Sequence, residues 1–540
     1  MKKLVILLIV FLFPAIIIAA AQNSLHLLAT LGGENAGDRF FHCASAGDVN
    51  GDGYMDIIVG ANQDWMKQPG YIKIYFGGAI FDTIPDLKII GEGKDPYGHY
   101  TGFGQTVACA GDVNKDGYDD VIVGAPYAYN NDWDAGKVYI FFGGNPMDTV
   151  ADVILQDSYY NYHFGSSVSS AGDVNGDGYD DVIIGAPNDF IDGRGRAIIY
   201  FGGENMDNVF DVFIEGESSD ALGTSVTGIG DMNRDGYDDV LIGAPQFGGW
   251  PYSTGKASIY YGGNPMDTVP DVTFYGDSLN FHNFGRVVAS AGDVNGDSAK
   301  DIIAAGNGGP RGVKLFVTEP SSPGLNLDTF YLIGEYLRPS SFGLSLSYGG
   351  DINQDGFAEV LVGDYQQDKV YIFYGGKNID SLFDLVLAGY DSLDFATQIA
   401  FAGDINGDGY GEILVSSLGD LTLKGKIYIF TSNPTSVNDD EQDNAEKRFY
   451  LGQNYPNPFN EKTVIDYSLD ESNITLVTIK IYNILGVKVK TLVEVRQVPG
   501  DHQVFWDGKD DLGQEVASGI YFYQLKTPEC SQVRKMIFLK

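Results

Sequence analysis

Cysteine, histidine and basic residues are scarce in this sequence, and each shortage excludes a class of protein. The three cysteines, Cys43, Cys109 and Cys530, are too few and too scattered for a disulfide framework, so we interpret them as packing residues. The 34 lysines and arginines are outnumbered by 73 aspartates and glutamates, and the net charge of −39 argues against nucleic acid or an anionic membrane as a partner. None of the six histidines is spaced as a zinc ligand or paired with a nucleophile. We therefore expect that the protein is not an enzyme.

Long hydrophobic runs are absent after the first residues of the chain. Lys2 and Lys3 precede an apolar run over residues 4–18, and three alanines at 19–21 offer a small-residue cleavage site. This layout predicts a secretory signal peptide at residues 1–21, since the run is shorter than the ~20 residues that span a bilayer. The alternative is an uncleaved membrane anchor. We expect an exported chain with no transmembrane segment after cleavage.

One stretch recurs along the chain. The sequence GDVNGDGYMDIIVGA at residues 47–61 is followed by six related copies, 53 to 64 residues apart, that begin at Gly111, Gly172, Gly230, Gly292, Gly350 and Gly403. In most copies a Phe-Gly pair precedes the loop, and three further short apolar runs complete the unit. Four short strands joined by glycine-rich turns are typical of one blade of a β-propeller. The repeats therefore predict an all-β fold with a seven-bladed propeller over residues 22–432.

The two ends of this region predict how the ring closes. The last repeat has no fourth strand, because the chain enters a polar, acidic stretch that we interpret as a linker at residues 433–448. Residues 25–34, LHLLATLGGE, precede the first loop where a fourth strand would lie. We expect this segment to be the closing strand of the last blade and to leave no open edge.

The repeated loop places oxygen-bearing side chains at alternate positions. In the first copy these are Asp48, Asn50, Asp52 and Asp56, around a glycine that lets the chain turn sharply. Calcium takes six to eight hard oxygen ligands. Asp and Asn also stabilise bare turns through hydrogen bonds to the backbone, and one isolated loop would fit either interpretation. Seven copies favour a metal.

The order Phe-Gly, DxNxDGxxD and Gly-Ala-Pro resembles the FG-GAP repeats of the integrin α-subunit N-terminal propeller, a family that includes a glycosylphosphatidylinositol-specific phospholipase D. The resemblance covers about residues 22–432 and implies a calcium ion in each loop between the first two strands of a blade. It implies side-chain ligands at Asp48, Asn50, Asp52, Asp56, Asp112, Asn114, Asp116, Asp120, Asp173, Asn175, Asp177, Asp181, Asp231, Asn233, Asp235, Asp239, Asp293, Asn295, Asp297, Asp301, Asp351, Asn353, Asp355, Glu359, Asp404, Asn406, Asp408 and Glu412. It also implies backbone carbonyl ligands at Tyr54, Tyr118, Tyr179, Tyr237, Phe357 and Tyr410.

The fifth copy departs from the pattern, because Ser298 replaces the loop glycine. Whether this loop binds calcium is left open, and we expect six or seven ions. The first copy has Arg39-Phe40 in place of Phe-Gly, and no inserted domain or leg domain is evident. We therefore expect that the chain is not an integrin subunit.

Residues 449–540 have the strand pattern of a small immunoglobulin-like β-sandwich. The segments NYPNPFN at 454–460, YNILGVKVKTL at 482–492 and WDGKDDLGQEVASGIYFYQL at 506–525 resemble the C-terminal sorting domain of proteins exported by the bacterial type IX secretion system. The resemblance implies that the type IX machinery is a partner and that the protein is secreted or held at the surface of a diderm bacterium. The alternative is an ordinary adhesion module.

Three of the four tryptophans, Trp65, Trp133 and Trp250, fall in connections between the second and third strands of a blade. Because strands alternate in direction, these connections lie on the rim opposite the calcium loops. Aromatic residues among polar ones are typical of a recognition surface, although they also pack against neighbouring loops. We expect a calcium-binding adhesion or ligand-binding module for a carbohydrate or protein. The alternatives are a structural surface-layer component and a hydrolase related to the phospholipase.

Overall fold

The computed structural model describes most of the chain. It describes residues 25–540 except 63–67, 95–99, 130–134, 157–162, 188–192, 249–252, 277–281, 308–311, 319–326, 335–340, 390–393, 420–421, 434–448, 452–453, 455–458, 461, 470–474, 484–487, 499 and 528–530. The predicted signal peptide, nearly all of the predicted linker and the three rim tryptophans Trp65, Trp133 and Trp250 lie outside the described residues. The chain divides into two compact units, Met1–Val437 and Asn438–Lys540.

The first unit is built from seven four-stranded antiparallel sheets. Its strands are β1 (His26–Gly32), β2 (Phe40–Gly47), β3 (Asp56–Ala61), β4 (Tyr71–Tyr75), β5 (Leu87–Ile90), β6 (Thr106–Gly111), β7 (Asp120–Ala125), β8 (Lys137–Phe141), β9 (Val153–Gln156), β10 (Ser167–Gly172), β11 (Asp181–Ala186), β12 (Arg196–Tyr200), β13 (Val212–Glu215), β14 (Ser225–Gly230), β15 (Asp239–Ala244), β16 (Lys256–Tyr260), β17 (Val272–Tyr275), β18 (His282–Gly292), β19 (Asp301–Asn307), β20 (Val313–Thr318), β21 (Leu327–Leu332), β22 (Ser345–Tyr348), β23 (Val360–Asp364), β24 (Lys369–Phe373), β25 (Leu385–Ala388), β26 (Ile399–Gly403), β27 (Glu412–Ser417) and β28 (Lys426–Thr431). A 3₁₀ turn, Tyr365–Gln367, joins β23 to β24.

Six of the sheets use four consecutive strands, and the seventh has the order β1-β28-β27-β26. In that sheet β1 pairs antiparallel with β28, from His26 opposite Thr431 to Gly32 opposite Lys426. The last blade therefore contains strands from both ends of the first unit, and this pairing closes the ring of blades. The all-β, seven-bladed fold class is confirmed.

The second strand of each blade is the most deeply buried. Every residue of β3, β7, β11, β15 and β27 is buried, because blades pack against both faces of these strands. Two-sided burial explains why these strands are almost wholly apolar and do not alternate with polar residues. The hydrophobic clusters accordingly lie between neighbouring blades.

The Phe-Gly pair of one blade meets the Gly-Ala pair of the preceding blade at these contacts. Phe103 is 2% exposed and packs edge-on against Tyr139 of its own blade, with ring centroids 5.2 Å apart. The following glycine, Gly104, has a φ of +81° and lies against Gly60 of the preceding blade, where a Cβ would come within 2.1 Å of the Gly104 carbonyl oxygen. Glycine is needed at both positions because the two backbones touch.

The second unit is a two-sheet sandwich. Its strands are β29 (Phe449–Leu451), β30 (Thr463–Leu469), β31 (Thr475–Asn483), β32 (Lys488–Gln497), β33 (Gly500–Trp506), β34 (Gly519–Lys526) and β35 (Ser531–Phe538), in the sheet orders β29-β30-β33 and β32-β31-β34-β35. Trp506 is 1% exposed and packs against Phe459 and Tyr521, with ring centroids 5.5 and 5.2 Å away. The predicted immunoglobulin-like sandwich is confirmed. Among the described residues of either unit, no helix is long and apolar enough to cross a membrane.

The closing strand offers a direct test of the fold. Leu31 in β1 is 1% exposed, whereas Leu27 on the same strand is 41% exposed. We expect Leu31→Ala to lower the free energy of unfolding by about 2–5 kcal/mol, because it leaves a cavity in the last blade. Leu27→Ala is the matched control and should change it by less than about 1 kcal/mol. Equal effects of the two substitutions in chemical denaturation would contradict the packing of β1.

Candidate metal centres and the opposite rim

Each of the seven loops is wound around the side chain of its first aspartate. In the first loop, Asp48 Oδ1 accepts hydrogen bonds from the N–H groups of Gly51 and Asp52 at 2.8 and 3.1 Å, and its Oδ2 accepts from Gly53 at 2.9 Å. The other six first aspartates also accept from the residues four and five positions later, and they are Asp112, Asp173, Asp231, Asp293, Asp351 and Asp404. These hydrogen bonds are the ones expected if the aspartates only stabilise turns. A carboxylate has about four lone-pair sites, so these bonds leave room for a cation to bind as well.

The third and fifth loop residues complete the turn. Asn50 Oδ1 accepts from the Asp52 amide at 2.8 Å, and Asp52 Oδ1 accepts from the Tyr54 amide at 3.0 Å. The same bonds recur at Asn114, Asp116, Asn175, Asp177, Asn233, Asp235, Asn295, Asp297, Asn353, Asp355, Asn406 and Asp408. Oxygen atoms of alternate residues are thus held in one turn.

The ninth loop residue is a fully buried carboxylate. Asp56 accepts from the Val49 amide in its own loop at 2.9 Å and from the Gly77 amide beyond β4 at 2.7 Å. Pairs of backbone amides bind Asp120, Asp181, Asp239 and Asp301 in the same way. Glu359 and Glu412 accept from the amides of Ile352 and Ile405 and lie beside the side chains of Asn353 and Asn406. This residue therefore ties the loop to the body of the blade.

Burial makes these ninth carboxylates unusual acids. Desolvation, reinforced by the neighbouring loop carboxylates, raises the pKa of Asp56 to about 7 and that of Asp120 to about 8, against the backbone hydrogen bonds. The pKa is also raised, to between about 7 and about 9, for Asp181, Asp239, Asp301, Glu359 and Glu412. A bound cation would favour the ionised form of each.

The sixth loop fits a cation most directly. One carboxylate oxygen from each of Asp351, Asp355 and Glu359 lies within 4.8 Å of the other two. Oxygens bound to one calcium ion at 2.3–2.6 Å are separated by no more than about this distance. Among the described residues, this is the one group of three acidic side chains that approach so closely. Every loop also has an Asn amide oxygen between its first and fifth residues, and such an oxygen is a calcium ligand as well.

The seventh and eighth loop residues join neighbouring blades, a role that sequence reasoning missed. The Tyr118 ring lies over Gly51 in the preceding loop, where a Cβ would approach it to 2.6 Å. The Asp119 carboxylate accepts from the Asp48 amide of that same loop at 2.8 Å. The only signal of this role in the sequence was the repeated Tyr-Asp-Asp triplet. Its first aspartate binds the preceding loop, and its second binds its own loop.

The fifth loop keeps the turn despite its serine. Ser298 has a φ of +71°, in the left-handed region where the other loops have glycine. Its amide still donates to Asp293 Oδ2 at 2.7 Å. A non-glycine residue there costs about 1–2 kcal/mol, so this loop forms at the expense of backbone strain.

The rim opposite the loops carries a polar cluster that spans three blades. Asn62 Nδ2 lies 3.4 Å from Gln105 Oε1, and Gln105 Nε2 lies 3.5 Å from the Tyr127 hydroxyl. The Tyr127 ring meets His163 edge-on at 5.2 Å. Asn62 Oδ1 is buried and has no hydrogen-bond partner among the described residues. Asn62 and Tyr127 lie in the same connections as Trp65 and Trp133, so sequence reasoning found this rim but missed the contacts between these polar side chains.

Comparison with known proteins identifies the repeats. The FG-GAP repeat model matches residues 44–71, 103–141, 164–200 and 222–260, and the FlgD Ig-like domain model matches residues 460–528. Four of the seven blades of the first unit thus match the FG-GAP repeat, and part of the second unit matches the FlgD Ig-like domain.

Integrin α subunits are similar to part of the propeller. Integrin alpha-PS3 of Drosophila melanogaster is 34% identical over 176 residues, covering 31% of this chain and 15% of that protein. Integrin alpha-8 of Gallus gallus is 28% identical over 234 residues, covering 41% and 20%. The chain thus spans a fifth or less of these relatives. A structure of PorZ, a bacterial surface component of the type-IX secretion system of Porphyromonas gingivalis, aligns with 93% of this chain and 60% of its own at 13% identity. Its TM-score of 0.42 is too low to bear on fold or function.

The raised pKa values give the metal-free protein a defined pH dependence. A carboxyl group whose folded pKa lies above its unfolded value stabilises the fold below the unfolded pKa, and that contribution is lost as pH rises through the folded pKa. With the ninth carboxyls raised to about 7–9, we expect the free energy of unfolding in chelator to fall between about pH 4 and pH 9. Asp120→Asn, which cannot ionise, should make the decline shallower. Urea denaturation across this range measures it, and a flat profile would contradict the burial of these groups.

Proposed function

We propose that the protein is a secreted or cell-surface calcium-binding β-propeller that acts as an adhesion or ligand-binding module. The observation that carries this proposal is the repetition of one oxygen-lined loop in all seven blades, on the rim opposite a polar cluster shared by three blades. The similarity to integrin α subunits supports a binding role over a catalytic one. We assign the propeller to residues 22–432, the linker to 433–448 and the second domain to 449–540.

Calcium is the proposed ion because the donor set is made of hard oxygens. The first, third, fifth and ninth loop residues supply carboxylate and amide oxygens, and the seventh supplies a backbone carbonyl. We assign a site to each loop, at Asp351, Asp355 and Glu359 in the sixth loop and at the corresponding positions in the other loops. A bound ion would neutralise the buried ninth carboxylate and hold the loop against the next blade.

The proposed ligand site lies on the opposite rim. Asn62, Gln105 and Tyr127 belong to two adjacent blades, and their polar atoms are close enough to share one ligand. All three side chains are partly exposed and carry donors and acceptors that hydroxyl or amide groups of a ligand would match. A carbohydrate or a protein loop offers such donors. Aromatic side chains nearby would add contact area at small entropic cost.

We also propose that residues 449–540 are an address for type IX secretion, in a diderm bacterium. The β-sandwich and its FlgD Ig-like match support an independent domain suited to recognition by other proteins. The three sequence segments that resemble the sorting domain support the assignment to this machinery. The predicted signal peptide would take the chain only as far as the periplasm.

Calcium should stabilise the propeller. Extracellular calcium modules bind at about 10⁻⁴ to 10⁻³ M, so about millimolar calcium should add roughly 0.4–1.4 kcal/mol per site. We expect the melting temperature to rise on addition of calcium and to fall in excess chelator. Asp355→Asn should weaken the response through one site only, because the other six loops remain. A melting temperature that is insensitive to calcium would remove the metal from the proposal.

Ligand capture should depend on the opposite rim. Glycan and protein arrays probed with the full chain would identify a ligand. We expect Tyr127→Ala, and separately the combined replacement of Trp65, Trp133 and Trp250 by alanine, to weaken its binding at least about tenfold, or ~1.4 kcal/mol. Tyr275→Ala, which removes an exposed ring from an outer strand, is the control and should bind normally. If both rim variants bind the ligand as tightly as the natural protein does, the ligand site does not lie on this rim.

A further inference from the structure

The junctions between consecutive loops are closed in two ways. At three of them the eighth residue of the following loop is an aspartate whose carboxylate accepts the first amide of the preceding loop, at 2.8–3.0 Å. These residues are Asp119, Asp180 and Asp238. At three others an apolar side chain covers the same place: Tyr348 lies against Gly292, Phe401 against Gly350, and Met55 against Gly403.

The junction between the fourth and fifth blades has a lysine at this position. The Lys300 chain runs over Gly230, where a Cβ would lie 2.9 to 3.0 Å from its Cδ, Cε and Nζ atoms. Asp119, Asp180 and Asp238 each supply a carboxylate to a loop amide at this position. Here a cation replaces that carboxylate. No ion pair of Lys300 is found among the described residues.

An open cleft of about 620 Å³ lies here. Its lining consists of Gly230, Asp231, Arg234, Asp238, Asp297, Ser298 and Lys300. Arg234 is oriented by the fifth loop, since its Nη2 donates to the Asp297 carbonyl oxygen at 3.1 Å and lies 3.8 Å from Asp297 Oδ1. Two of the departures of the fifth loop from the pattern, Ser298 and Lys300, lie in this cleft.

The groups around the cleft are of two complementary kinds. Lys300 and Arg234 are cations, and next to them is the Asp231 amide, whose counterparts in three neighbouring loops each bind a carboxylate. The Asp238 carboxylate and the Ser298 hydroxyl are acceptors for hydroxyl groups. A ligand that matches both kinds carries one carboxylate and several hydroxyls on a compact frame.

We propose that this cleft binds a hexuronate, the acidic sugar unit of an anionic polysaccharide. The sugar carboxylate pairs with Arg234 and with Lys300, whose side chain fills the place that an aspartate occupies at three other junctions, while the ring hydroxyls donate to Asp238 and Ser298. Charge-assisted bonds of this kind are the strong ones. The site lies on the loop rim and is independent of the ligand site proposed on the opposite rim.

Isothermal titration calorimetry of the full chain with tetragalacturonate, at low salt, tests the proposal. We expect binding by the natural protein, no binding of the neutral galactose tetramer, and affinity at least about tenfold weaker in Lys300→Met. Lys300→Asp should abolish binding and keep the fold, because it restores the residue found at three other junctions. Unchanged melting of Lys300→Asp would show that the loss is not caused by unfolding.

Lys115→Ala is the matched control. Lys115 occupies the position of Arg234 in the second loop, whose junction has Asp180, so its loss should leave the affinity unchanged. Arg234→Ala should weaken binding as Lys300→Met does. The proposal is overturned if the natural protein does not bind tetragalacturonate, if Lys300→Asp binds it normally, or if tetraglutamate binds more tightly than the acidic sugar, which would assign the cleft to an acidic peptide.

Discussion

The propeller depends on one buried carboxylate in each blade. The ninth loop residue, such as Asp56, holds an amide of its own loop and an amide 21 residues farther along the chain, so that a polar turn is fixed to the buried strands. An ionised group in that position costs free energy unless donors or a cation surround it. The backbone amides supply part of that compensation, and the proposed calcium ion supplies the rest.

The same loops also connect one blade to the next. Tyr118 and Asp119 reach back to the first loop, and the Gly144 amide donates to the Val49 carbonyl oxygen of that loop at 2.8 Å. Stiffening one loop therefore stiffens a junction as well as a turn. A ring closed by β1 and β28 and braced in this way on one rim can hold Asn62, Gln105 and Tyr127 in fixed positions on the other.

The fold class followed from the sequence because its signals are local and repeated. The spacing of the loops, the apolar run after each and the Phe-Gly pairs indicated four strands per blade, and this prediction is confirmed. The alternate oxygens of the loops were also readable, and their metal remains a proposal. Contacts between blades were not readable: Asp48 and Asp119 are 71 residues apart, and nothing local distinguishes the partner of Asp119 from that of Asp120. The Asn62 cluster was missed for the same reason, while Trp65, Trp133 and Trp250 lie outside the described residues.

The central claim is that the seven loops are calcium sites that brace the ring. Its most direct test is the calcium content of the purified protein, measured by atomic emission after dialysis against about millimolar calcium, a concentration at or above the affinity of extracellular calcium modules. We expect six or seven ions per chain: seven if the loop with Ser298 binds one, and six if it does not. A chain that retains no calcium under these conditions would contradict the claim and leave the loops as turns held by hydrogen bonds alone.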